Sequence, residues 1–221
     1  MASISQLVKF AILAFVVVKM SKDSIFQVVE GDYCYEIACV WEGQGEMLPW
    51  ILLHPIAPLA IAKQEASGVL QTDEPLHIEP RVFKRLKRWT KAATNTFKVR
   101  FGGFVVVHLY AKIGTTEELK SLVLSEPNLS PVVHGPRCST YIREAIARYR
   151  VTVGAWGPGL LPECHESMRK TLRFVDSWAS QCGKTLYCLG HTPNGYPLRA
   201  ADPSLKRETR LSPLGELDVW D

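Results

Sequence analysis

The stretch Phe104–Tyr110 reads FVVVHLY, an apolar run of strand length whose polar members come only at its end. A half-buried strand would alternate apolar and polar residues, so this run predicts a strand covered on both faces, as in a parallel sheet. Gly102 and Gly103 lead into it. Working outward, Leu48–Leu53 is a second apolar strand, halted at His54-Pro55 because proline cannot continue a central ladder. Val151–Trp156 (VTVGAW) ends at Gly157-Pro158, and Thr185–Leu189 (TLYCL) ends at Gly190-His191. Tyr33–Trp41 (YCYEIACVW) is aromatic and β-branched and reads as a further strand before them. Helical periodicity falls between: Arg81 to about Ala93, a short helix from Glu117-Glu118 capped by Thr115 or Thr116, Ser139–Tyr149, and Glu166–Gln181 closed by Gly183. Strand and helix alternate, which predicts an α/β protein with three layers: a mainly parallel central sheet and flanking helices.

At 221 residues, with 47% hydrophobic and 22% charged residues, the chain can close a full core without a disulfide or metal staple. We expect one α/β domain over residues 20–221, preceded by an apolar segment, residues 1–19. Within that segment Phe10–Val18 (FAILAFVVV) is far shorter than the about 20 apolar residues of a spanning helix, and no small-residue cleavage site follows. It reads as a buried element or a docking segment, or as an upstream extension if Met20 is the natural start. Stable membrane insertion is not expected. The six cysteines, Cys34, Cys39, Cys138, Cys164, Cys182 and Cys188, form no C-x-x-C pair and read as reduced, mostly packed thiols.

Net charge is only +4, yet Arg81–Arg100 holds eight basic residues and no acidic one. Val82, Phe83, Leu86 and Trp89 recur at helical spacing, which places the cations on the opposite face. Such a face suits a phosphate backbone, with Lys84, Arg85, Arg88 and Lys91 as contacts; a merely solvated surface helix is the plain alternative.

In parallel sheets ligands bind beyond the carboxyl ends of the strands. His54, His108 and His191 stand at three such ends. Histidine is the natural acid or base near neutral pH, although any one of them could be a hydrogen-bonded structural residue. Asp73-Glu74 and Asp202 are the loop carboxylates best suited to meet these rings, or else caps and solvated turn residues. No H-x-x-x-H spacing points to a metal, no P-loop or G-x-S-x-G elbow is present, and Cys164-His165 is a weak nucleophile pattern. No cofactor is expected.

These strand ends resemble a family of bacterial and phage proteins, domain of unknown function 1643, whose pattern runs M-L-N-P-S-T-A, D-D-P-T, N-L-F-A, G-P-x-N-D, W-G and L-G-x-T-x-x-G-x-P-x-H-P-L. Here the corresponding stretches are Leu52-Leu53-His54-Pro55-Ile56-Ala57, Thr72-Asp73-Glu74-Pro75, His108-Leu109-Tyr110-Ala111, Gly135-Pro136-Arg137, Ala155-Trp156-Gly157 and Leu189-Gly190-His191-Thr192-Pro193-Asn194-Gly195-Tyr196-Pro197-Leu198. They span about residues 33–200. That family is in turn similar to the uracil-DNA glycosylase superfamily. The resemblance implies a glycosylase-like fold with His54 in the water-activating loop, His108 at the base-reading position and His191–Leu198 as the leaving-group loop. Asp73 would be a further catalytic group, Pro55, Trp156, Gly157 and Asn194 would form the base pocket, and Arg199 would join the nucleic-acid contacts. Both asparagines of the family pattern are histidine here, and the terminal H-P-L is Leu198-Arg199-Ala200. The expected function is a phage or mobile-element enzyme acting on a base in DNA or in a nucleotide, by N-glycosidic cleavage or base modification, in the cytoplasm of the cell or host. The alternative is a catalytically silent binder of nucleic acid, nucleotide or a host protein.

Overall fold

The computed structural model describes residues 23–42, 44–56, 68–72, 77–125, 131–158, 165–206 and 208–214, with the backbone alone at 123–125, 131–132 and 165–170. The segment 1–19, Asp73, Glu74 and Cys164 lie outside the described residues. The strands are β1 Ser24–Glu30, β2 Tyr33–Val40, β3 Glu46–Leu52, β4 Gly68–Thr72, β5 Phe101–His108, β6 Thr152–Gly154, β7 Leu186–Cys188 and β8 Ser212–Pro213. The helices are α1 Pro80–Phe97, α2 Thr116–Ser125, the single turn α3 Pro131–His134, α4 Cys138–Arg148 and α5 His165–Gln181.

All eight strands join one sheet in the order β4-β1-β2-β5-β3-β6-β7-β8. The apolar runs β5, β3, β6 and β7 pair in parallel with one another. The sheet is nonetheless mixed, which corrects the expectation of a mainly parallel one: β1 runs antiparallel to β2 and β4, β2 to β5, and β8 to β7. The cause is a tight turn at Gly31-Asp32, with Gly31 in the left-handed region at φ 57°. It folds β1 back onto β2 as a hairpin, to which β4 adds antiparallel on the β1 side and β5 on the β2 side.

Each face has its own core, because side chains alternate along a strand. Leu48, Trp50, Leu52, Phe104 and Val106 pack with Val82, Phe83, Leu86 and Trp89 of α1. Ile51, Leu53, Val105 and Val107 face the other way, with Tyr141, Ile142 and Ile146 of α4 and Leu172 and Val175 of α5. Trp50 and Thr90, both fully buried, are joined by an indole N–H that donates to the Thr90 hydroxyl at 3.0 Å. At the start of α2 the Glu118 amide donates to the Thr115 hydroxyl and the Thr115 amide to the Glu118 carboxylate, a reciprocal cap that satisfies two otherwise orphaned donors. No helix among the described residues is long and apolar enough to cross a membrane.

This layout creates a crevice. From β3 the chain passes through β4 at the edge of the sheet and then α1 on one face to reach β5, and from β5 it leaves across the other face through α2–α4 to reach β6. Adjacent strands whose outgoing connections part to opposite faces leave an opening between their carboxyl ends.

Candidate functional site

His54 follows β3 and His108 ends β5, on adjacent parallel strands with Leu52 paired to His108. His108 shares the parity of Phe104 and Val106, and His54 that of Trp50 and Leu52, so strand alternation aims both rings at the α1 side of the crevice. There the structure holds a cavity of about 170 Å³. His54, His77 and His108 line it, with Trp156, Thr116, Arg199 and the start of α1 at Glu79 and Val82.

The three rings are held differently. His54 Nδ1 donates to the Pro55 carbonyl at 3.0 Å, which leaves the lone pair of the neutral ring on Nε2, 3.5 Å from the Thr116 hydroxyl. Burial lowers its pKa below the ordinary 6.5; the Pro55 carbonyl opposes that shift, and the Arg199 guanidinium adds to it. His77 Nδ1 donates to the Ile56 carbonyl at 3.3 Å, and burial lowers its pKa as well. Its backbone is fixed by Gln27, a fully buried β1 residue whose side-chain carbonyl accepts from the His77 amide at 3.3 Å.

His108 is 1% exposed, and neither ring nitrogen has a hydrogen-bond partner. Burial pushes its pKa down to about 3, helped by His54 and, to a smaller degree, by His77; the nearby Cys34 backbone, short of hydrogen-bonding geometry, acts the other way. Its position is set from behind, where the Cys138 thiol of α4 donates to the His108 carbonyl at 2.9 Å. At neutral pH all three rings are therefore uncharged, each able to offer one donor and one acceptor.

The other expected site residues fall in several places. Trp156, fully buried, reaches the cavity wall, and Gly157 lies beneath Arg199. Pro55 is buried just beyond the wall and acts through the carbonyl that orients His54. His191 does not join the cavity: it is exposed, and its Nε2 donates to the Leu214 carbonyl at 2.9 Å beside the Cys188 sulfur, because β7 lies two strands from β3 and its outgoing loop folds back toward β8. Asn194 is exposed at the tip of that loop and is likewise no part of the wall. His77 was not singled out from the sequence; its signal is its place in L-H-I-E-P, at the entry to the helix that follows the first parallel strand.

The basic face of α1 is divided. Lys84 and Lys91 are exposed, and Lys91 stands over the Trp41 ring at 5.4 Å. Lys87 also lies over Trp41 and is paired with Asp23. Arg88 lies against Trp89 with its Nε buried. Arg85 is occupied structurally, donating to the Ala200 and Asp202 carbonyls at 3.1 and 2.9 Å. That assignment corrects its place among the outward cations.

No group of three or more histidine, cysteine or acidic side chains among the described residues is placed to hold a metal ion. The five described cysteines are free thiols, and burial pushes Cys138 up to about 12, far from nucleophilic use. No protein-family model, curated protein or solved structure matches this chain.

Proposed function

We propose that the cavity receives a nucleobase, free in a nucleotide or flipped out of DNA, and that the chain is a glycosylase-like enzyme acting on that base or its N-glycosidic bond. The observation that carries this reading is His108: a polar ring buried without partners at the carboxyl edge of a sheet costs stability, and an incoming base edge with its own donors and acceptors would satisfy it. Trp156 supplies a flat apolar wall beside it. His54, neutral with the lone pair of Nε2 turned toward the Thr116 hydroxyl in the cavity wall, is the candidate general base. In the cleavage form of the reaction it takes a proton from water, the oxygen bonds to the sugar carbon, the N-glycosidic electron pair leaves with the base, and the His108 N–H stabilises the departing nitrogen or carbonyl. The resemblance at the strand ends to domain of unknown function 1643, and through it to uracil-DNA glycosylases, agrees with this assignment.

A silent binder of the same ligand is the second reading. It is favoured by Glu79, which is exposed, being the one acidic residue among the described residues that line the cavity, so that none of those offers a buried carboxylate to support a cationic sugar. Mass spectrometry of bases and nucleosides after incubation with plain DNA, modified DNA and nucleotides separates the two. Release or alteration of a base that is lost in H54A supports the enzyme. Binding without turnover supports the binder, and neither binding nor turnover refutes the nucleobase assignment.

A further inference from the structure

We propose that the mouth of the cavity is a phosphate subsite, formed by the Arg199 guanidinium and the first turn of α1, so that the ligand enters as a phosphorylated nucleoside and not as a free base. The inference rests on the nucleobase reading for the inner part of the ligand. Arg199 is half-buried in the cavity wall, an expensive place for a charge. Two features hold it there. Its side chain lies directly across Gly157, where a methyl group would come within 2.7 Å of Nε and where φ is 73°, so glycine is needed both for the approach and for the backbone. Arg85 then clamps the following residues to α1 through the Ala200 and Asp202 carbonyls.

The second element is α1, an 18-residue helix that begins at the same mouth. Glu79 stands at its N-cap with no side-chain hydrogen bond capping it, and Pro80 contributes no N–H. The amides of Arg81 and Val82 and the positive end of the helix dipole thus remain to meet an anion. The independent sign that this cavity takes a ligand is His108, 1% exposed with both nitrogens unpartnered in the same wall. With the histidines neutral, Arg199 is the only full positive charge among the described lining residues, opposed by Glu79 at the rim. A guanidinium fork beside a helix start matches the planar array of phosphate oxygens.

Isothermal titration of the full chain tests this with the four deoxynucleosides and deoxyuridine, their 5′-monophosphates, the matching trinucleotides and inorganic phosphate. The preferred base should bind about 10- to 100-fold tighter as its monophosphate than as its nucleoside, the yield of charge-assisted hydrogen bonds to phosphate. R199Q should erase that preference, so that nucleoside and monophosphate bind alike, and R199K, which preserves charge but not the fork, should retain part of it. A trinucleotide stronger than the monophosphate assigns the phosphate to a DNA strand, and the reverse assigns it to a free nucleotide. Equal affinity for nucleoside and monophosphate, or a preference that survives in R199Q, overturns the subsite and leaves the nucleobase reading intact. If no nucleoside or nucleotide binds but inorganic phosphate binds in an Arg199-dependent way, the subsite stands and the nucleobase reading falls. If neither binds, both fall.

Discussion

Replacing His108 by leucine should stabilise the protein at neutral pH while abolishing ligand binding. The imidazole is 1% exposed and its two nitrogens have no partners, so the folded state carries their desolvation without return. A buried polar group left unsatisfied costs about 1–3 kcal/mol, and an apolar side chain of similar volume removes that cost. Melting should therefore rise by several degrees, at roughly 2–4 °C per kcal/mol for a chain of this size. The pH dependence should change with it. The His108 pKa in the folded protein is about 3, against an ordinary 6.5, so the unfolded chain takes the proton first. The wild type then has its full His108-linked stability above pH 6.5 and loses it as the pH falls toward 3. At about pH 5 the loss from this residue alone is roughly 2 kcal/mol, and H108L should not show it. His54, His77 and His134, each also lowered by burial, will keep some acid sensitivity in the variant. Urea unfolding at about pH 7.5, 6.5 and 5, with nucleotide titration in parallel, measures all three quantities. A variant destabilised by more than about 2 kcal/mol at neutral pH, or one whose acid sensitivity equals that of the wild type, would refute the reasoning.

Three further outcomes follow from other contacts. T90V removes the acceptor of the buried Trp50 indole N–H and should cost about 1–3 kcal/mol, read from thermal or urea unfolding; an unchanged midpoint would mean that the bond contributes nothing. R85A frees the Ala200 and Asp202 carbonyls and should lower stability by on the order of 1 to 2 kcal/mol and weaken monophosphate binding more than nucleoside binding, since it acts by positioning Arg199. If the cationic face of α1 tracks a phosphate backbone, neutralising the exposed Arg81, Lys84 and Lys91 together should reduce the slope of log affinity against log salt by about 0.9 per lost duplex contact, with unfolding midpoints almost unmoved. An unaltered slope removes the helix from DNA binding.

Several parts of the architecture are local in origin and were legible before any coordinates. FVVVHLY read as a doubly covered strand, His54-Pro55 as the end of one, and Thr115 or Thr116 as the cap of a helix beginning at Glu117-Glu118, because each depends on residue period, proline geometry or capping within a few positions; the structure gives the cap to Thr115. Strand parity also set the meeting of His54 and His108 once their strands were neighbours. Which strands become neighbours is a long-range matter. The pairing of β4 with β1 and of β2 with β5, and the position of β7 two strands from β3, are consequences of contacts between distant segments, and no short pattern encodes them. The same physics excluded His191, held instead by the Leu214 carbonyl, and admitted His77, anchored by Gln27 from fifty positions away. It also turned Arg85 inward, since only the packed chain brings the Ala200 and Asp202 carbonyls within its reach. Sequence alone determined the strand ends and the chemical types of the groups standing there; tertiary structure decided which of them share a wall, because loop paths and sheet order are settled by the burial of both faces at once.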